Sequence, residues 1–261
     1  MVDSYRKIFN RDGYIHIKNF FSEEEGAMIQ KIIDDLYKYP EIPGNYMKYY
    51  ESTKNGRQLS RMEYFIKYNE DVKKLFETRI NPFINKLCLE SMVLFKDKVN
   101  WKLGGGNGFK AHQDYPAWTD FHPEYFLTAA MFGDQCTFEN GCLQMVAGKH
   151  KEGLLPNTYD KGGGINDDIV ESLTWKPVLS GIRDLVVFDS YTPHKSEANT
   201  TNKSRRIFYF TFNRESEGKH YENYFKKKRE MLPPDIEKDN SKVYNQNSKY
   251  NLANPISYSK L

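Results

Sequence analysis

The sequence is poor in the features that mark exported, membrane-spanning and nucleic-acid-binding proteins. It has three cysteines, Cys88, Cys136 and Cys142, and none of them forms a CxxC pair. An odd, unspaced set argues against a disulfide framework and against an ordinary thiolate metal site. No run approaches the roughly 20 apolar residues needed to cross a bilayer. The opening MVDSYRKIFNRDGYIHI is polar and charged, with no apolar signal segment. A reducing cytoplasm is therefore the expected compartment. Excess charge of one sign is also scarce: the net charge is +3. The lysines are scattered, without the basic stripe that a nucleic-acid partner requires. One short basic run, Lys226-Lys227-Lys228-Arg229, reads as a solvated helix face. Internal repeats and low-complexity linkers are absent.

Aromatic residues are abundant, at 15% of the chain with 19 Tyr and 17 Phe. They favour pleated sheet over helix, so the composition leans towards β. With 261 residues, 39% apolar and 28% charged, one soluble domain spanning 1–261 is expected. A strand is expected over 13–21. Ser22 and Glu25 then form a capping box. The helix behind them runs to about Tyr37, with Met28, Ile29, Ile32, Ile33 and Leu36 at helical spacing. Residues 44–66 read as strand and loop. A second helix is expected over 70–89, broken near Asn81-Pro82. From Met92 to Asn213 short strands alternate with Gly, Asn and Asp turns, which suggests a sandwich or barrel. The fold class is therefore α+β, mainly β, with an antiparallel core. A short helix near 221–231 follows, and the rest of 214–261 reads as an irregular wrap or lid around a core of about 8–213.

The sharpest chemical feature is Lys110-Ala111-His112-Gln113-Asp114. In an extended strand residues i and i+2 share a face, so His112 and Asp114 can converge. HxD alone is common by chance and most often structural. His194, behind the apolar run LVVF, is the best third ligand. Two histidines and one carboxylate form the facial triad of non-haem Fe(II) oxygenases, which leaves open positions for substrate and dioxygen. Eleven residues further on stands Arg205, at the head of a predicted strand. It could be a rim ion pair. It could also grip the far carboxylate of 2-oxoglutarate bidentately.

HQD, then NGCLQMVAGKH over 140–150, then PHKSEANTTNKSRR over 193–206 resemble the phytanoyl-CoA dioxygenase family. FNRDGYIHIKNFFSEEE resembles that family's first strand and helix. The resemblance runs in order over about 8–213. It implies a double-stranded β-helix (jelly-roll) core with flanking helices, Fe(II), 2-oxoglutarate and dioxygen. By position it implies His112, Asp114 and His194 as iron ligands, and Arg205 with Ser196 at the 2-oxoglutarate tail. Lys102 and Asn100, on the strand before HxD, are implied as contacts to co-substrate or substrate. Halogenating relatives replace the carboxylate ligand by a small residue. Asp114 is present, which implies hydroxylation.

The substrate is less legible. Tyr115, Trp118, Phe121 and His122 directly follow HxD and are candidates for the pocket mouth or for packing under a loop. Gln144 is a further candidate. Lys110 shares the parity of His112, and Arg61 lies on a predicted strand. Either could meet an anionic group of a small, charged substrate. The tail YFKKKREMLPPDIEK resembles that of phytanoyl-type dioxygenases acting on 2-aminoethylphosphonate. An amino acid or natural-product intermediate is the alternative substrate. A non-catalytic jelly-roll ligand module and a cupin-type isomerase or hydrolase are competing readings that leave Arg205 unexplained. His16, His150 and His220 read as surface or structural residues, and the oligomeric state is unspecified.

Overall fold

In the computed structural model, which describes residues 2–159, 163–245 and 249–252, the chain opens on helix α1 (Val2–Asp12) and strand β1 (Tyr14–Ile17). Helix α2 (Glu23–Lys38) begins where the capping box is expected. Ser22 Oγ accepts from Glu25 N–H, and the Glu25 carboxylate accepts from Ser22 N–H. β2 (Met47–Thr53), β3 (Gly56–Glu63), α3 (Glu70–Leu75), α4 (Asn81–Cys88) and β4 (Met92–Lys102) follow. Next come β5 (Phe109–His112), β6 (Phe126–Phe132), β7 (Gln144–Met145), α5 (Asp167–Ser172), β8 (Lys176–Pro177) and β9 (Leu185–Asp189). β10 (His194–Ser196), β11 (Arg205–Arg214) and α6 (Tyr221–Met231) complete the main elements.

The strands form two antiparallel sheets. The larger has the order β1-β9-β6-β11-β4-β3-β2, the smaller β5-β10-β7-β8. Strict alternation divides the large sheet by face. Val99, Trp101, Leu127, Ala129, Met131, Leu185, Val187, Phe208, Phe210 and Phe212 share one apolar core with Ile29, Ile33 and Leu36 of α2. The residues between them point the other way, towards the small sheet. Ala130, Phe132, Val186, Phe188 and Ile207 there pack against Cys142, Leu143, Met145 and Val178. The jelly-roll expectation is thus met, and the site lies between the sheets.

Several local expectations need correction. The N-terminal segment is helical, because Tyr5 and Phe9 recur at helical spacing and pack on the core. The strand expected over 13–21 is confined to β1. The helix over 70–89 is not broken at Pro82. The backbone instead widens into a π-turn over Phe76–Ile80 and continues as α4, a common way to absorb a missing N–H. The basic run on α6 is only partly solvated. Lys228 is fully buried, 2.5 Å from Glu63, and Arg229 donates to Asn45 and Glu237. The helix presents Tyr224, Phe225 and Lys228 to one side, so its third lysine falls on the packed face.

Candidate active site

β5 and β10 are neighbours, and His112 lies directly opposite His194. Their ring centroids are 4.1 Å apart. Asp114, just past β5, brings Oδ1 within 3.7 Å of His112 Nε2 and 3.9 Å of His194 Nε2. One ligand atom from each of the three lies within 4.8 Å of the others. Both histidines are oriented from behind. Nδ1 of His112 bonds the Lys110 carbonyl at 2.7 Å, and Nδ1 of His194 bonds the Thr192 carbonyl at 3.0 Å. With Nδ1–H donating, each ring turns an Nε2 lone pair to the common point. Burial, reinforced by His194, pushes His112 down to about 3, which keeps its imidazole neutral. Burial alone would raise Asp114. The two histidines and Lys98 and Lys96 outweigh it and hold the carboxyl below its ordinary value. Gln113, between the ligands, points away. Its amide donates to Gly153 and Tyr191 carbonyls and accepts from Leu155 N–H, tying the loops behind the site.

Arg205 opens β11 opposite Lys102 of β4. It is 1% exposed, yet its Nε and Nη1 meet no acceptor. A buried guanidinium with unused donors is costly unless an anion completes it. Lys102 lies alongside. Its Nζ donates to Ser196 Oγ at 2.8 Å and to the Glu197 carbonyl. Burial, then the neighbouring Arg205, lowers the Lys102 ammonium to about 6. Asn100 Oδ1 is also buried without a partner. The Asn140-Gly141 turn closes this end: Gly141 has φ +74°. A Cβ there would collide with the Glu197 carbonyl and stand 2.9 Å from Lys102 Nζ.

Two adjoining hollows share Lys96, Lys98, Phe109, His112, Asp114 and Trp118. The first reaches Asn100, Ser196 and Tyr209. The second reaches Arg61, Tyr224 and the turn bearing Tyr250 and Leu252. Of the residues expected at the substrate, Trp118 lines both hollows and Arg61 the second. Arg61 is buried and 3.1 Å from Glu63.

Lys110, Tyr115 and Gln144 line neither hollow. Opposite β10, the register slips from His194↔His112 to Ser196↔Phe109, so β5 carries a bulge. A bulge reverses parity. Phe109 shares the site with His112, and Lys110 is exposed, facing an outer depression. Tyr115 stacks on Tyr191 with centroids 4.5 Å apart. Gln144 is buried opposite Lys195 and borders neither hollow. Phe121 belongs to the aromatic core and His122 is exposed. His16 pairs with Asp184 at 2.8 Å, and His220 bonds the Glu217 carbonyl.

Lys96 and Lys98 are site residues that sequence reasoning missed, although a signal for them exists. They precede Asn100 and Lys102 at strand spacing, in K-D-K-V-N-W-K, so the parity that selects the last two selects all four.

The phytanoyl-CoA dioxygenase family model matches residues 9–207. The chain belongs to the phytanoyl-CoA dioxygenase family. A 2-aminoethylphosphonate dioxygenase from an uncultured bacterium is 41% identical over 249 residues, covering 94% of each chain. A methylphosphonate hydroxylase of Gimesia maris is 34% identical over 230 residues, covering 88% of this chain and 87% of that one. Among solved structures, the alpha-ketoglutarate-dependent epimerase SnoN superposes with a TM-score of 0.68 at 20% identity, over 82% of this chain and 83% of its own. EctD from S. alaskensis, crystallised with 2-oxoglutarate and 5-hydroxyectoine, gives 0.67 at 18%, over 82% and 76%. These two share the fold. The family assignment makes the protein a 2-oxoglutarate-dependent dioxygenase that uses Fe(II). Among the described residues, no helix is long and apolar enough to cross a membrane.

Proposed function

We propose that this dioxygenase hydroxylates a small organophosphonate, with 2-aminoethylphosphonate and methylphosphonate as the first candidates. His112, Asp114 and His194 hold the Fe(II). Arg205, with Ser196, Lys102 and Asn100, receives 2-oxoglutarate. The observation that carries the co-substrate site is Arg205, buried with Nε and Nη1 unsatisfied, since a distal carboxylate would meet both in one bidentate contact. Two relatives, matching over 94% and 88% of the chain, are named for phosphonates, and the hollow beside the triad is lined by lysines.

Bound Fe(II) with 2-oxoglutarate supplies the activated dioxygen needed to oxidise an inert C–H bond. The chain's own residues bind, orient and enclose. His112 presents a neutral imidazole and Asp114 an ionised carboxylate, the forms in which these groups bind a metal. Leu143, Phe188 and Trp118 wall the hollow with apolar surface and exclude water. Tyr250 and Leu252 border the second hollow, which supports the described part of 214–261 as a wrap over one catalytic domain; residues 246–248 and 253–261 lie outside the described residues. Three free cysteines suit a cytoplasmic location.

The test is anaerobic loading with Fe(II) and 2-oxoglutarate, then oxygen with each phosphonate. Succinate and a hydroxylated phosphonate, read by phosphorus NMR, are expected in equal amounts. Succinate coupled instead to an amino acid, with no phosphonate product, would overturn the substrate assignment.

A further inference from the structure

The inner face of β4 carries four polar side chains in a row, Lys96, Lys98, Asn100 and Lys102. The last two belong with Arg205 and Ser196. The first two act on Asp114 only through their charge and are hydrogen-bonded neither to the triad nor to Arg205. Lys96 is 8% exposed, yet among the described residues no carboxylate lies within ion-pair distance of its ammonium or that of Lys98. Glu63, the carboxylate that acts most strongly on Lys96, is already engaged by Lys228 at 2.5 Å and Arg61 at 3.1 Å. Lys96 is held only over aromatic rings, 5.5 Å from Trp118 and 5.5 Å from Tyr224. Lys98 stands 4.6 Å over Tyr209. Ring faces attract a cation but do not replace its lost hydration. Both lysines border both hollows and share them with His112 and Asp114.

We infer that Lys96 and Lys98 are the clamp for the substrate's tetrahedral dianion, a phosphonate group. Lys96 and Lys98, on one strand face and in no ion pair among the described residues, offer a cation to each of the two charges of a dianion. Their six N–H donors suit three equivalent oxygens better than a planar carboxylate, which the fork of an arginine fits best. Arg61 is a positioning residue here. With Lys228 it occupies the Glu63 carboxylate, which leaves neither lysine an ion pair there. This rests on the phosphonate reading of the site.

Calorimetric binding of methylphosphonate and of inorganic phosphate to the Fe(II)- and 2-oxoglutarate-loaded protein, without oxygen, tests the clamp. Lys96→Met and Lys98→Met are each expected to weaken both anions by about 10- to 100-fold, the effect of deleting one charge-assisted hydrogen bond. In turnover the same variants raise KM for the phosphonate far more than they lower kcat. Both variants should melt at or above the wild-type temperature, because each removes a buried, unpaired charge. A lysine serving only the fold would move melting down. Lys226→Met, on the exposed side of α6, changes none of these. Wild-type binding that both methionine variants retain within twofold overturns the clamp alone. Failure of the wild type to bind either anion overturns the clamp and the phosphonate reading together. Phosphate binding that is lost in the variants, without any phosphonate turnover, upholds the clamp and overturns the substrate.

Discussion

The two ends of β4's inner face are built from the same residue type for different ends. At one end Lys102 is hydrogen-bonded to Ser196 and Glu197 and backed by Arg205. At the other, Lys96 and Lys98 rest on ring faces and are in no ion pair among the described residues. The first arrangement is a rigid frame with one opening, on Arg205. That fits a co-substrate that never changes. The second is a loose cationic wall, adaptable to a substrate's headgroup. Between them lies the triad, and the contrast teaches that lysine count says little until each ammonium's partners are known.

The largest effect comes from removing what both ends share. His112→Ala or Asp114→Ala should abolish 2-oxoglutarate turnover and Fe(II) binding, measured by succinate release and metal content. A variant with wild-type iron content and rate would dissolve the common centre. Next is the frame. Arg205→Met should weaken 2-oxoglutarate on the order of 100-fold, because it deletes both N–H donors of the bidentate grip on the carboxylate. Phosphonate binding should change far less. Equal weakening of both ligands would erase the distinction between the ends.

The cationic wall has a structural dependency, visible in stability. Glu63 is buried, which alone would raise its carboxyl, but Lys228, Lys96 and Arg61 hold it down to about 2. Its unfolded value is about 4.3. A carboxyl depressed in the folded state stabilises above the unfolded value, and loses that contribution as pH falls through the folded one. Part of the acid destabilisation between about pH 4.3 and 2 should therefore disappear in Glu63→Gln. That variant should also lose about 3–5 kcal/mol at pH 7, because Lys228 is left buried without a counter-charge. Urea midpoints across pH would show it. A variant as stable as wild type would mean that Lys228 finds another partner. The smallest effect is the sharpest check on the bulge. Lys110→Ala should leave both KM values unchanged. A raised phosphonate KM would place Lys110 back on the inner face.

Local rules carried much of this. The capping box at Ser22, the amphipathic α2 and the span of α6 each depend on interactions a few residues apart, and each formed as expected. HxD, the later histidine and Arg205 were legible because each occupies a fixed place along its strand. Lys96 and Lys98 share the legible parity of Asn100 and Lys102, but nothing in the sequence distinguishes a lysine facing a hollow from one facing water. Lys110 and Lys228 show the opposite failure. A bulge in β5 turned one lysine outward, and the packed face of α6 took the other inward. Neither event has a local signature.

The sequence by itself determined the alternation of the strands, the ends of the principal helices and the three side chains that come together as a candidate metal site. Those follow from short-range sterics and from chemistry that only certain residues can perform. Tertiary structure alone decided which cations were left without a partner. Glu63 reaches Lys228 across 165 positions of chain, and by taking that carboxylate out of reach the fold leaves Lys96 and Lys98 facing the hollow.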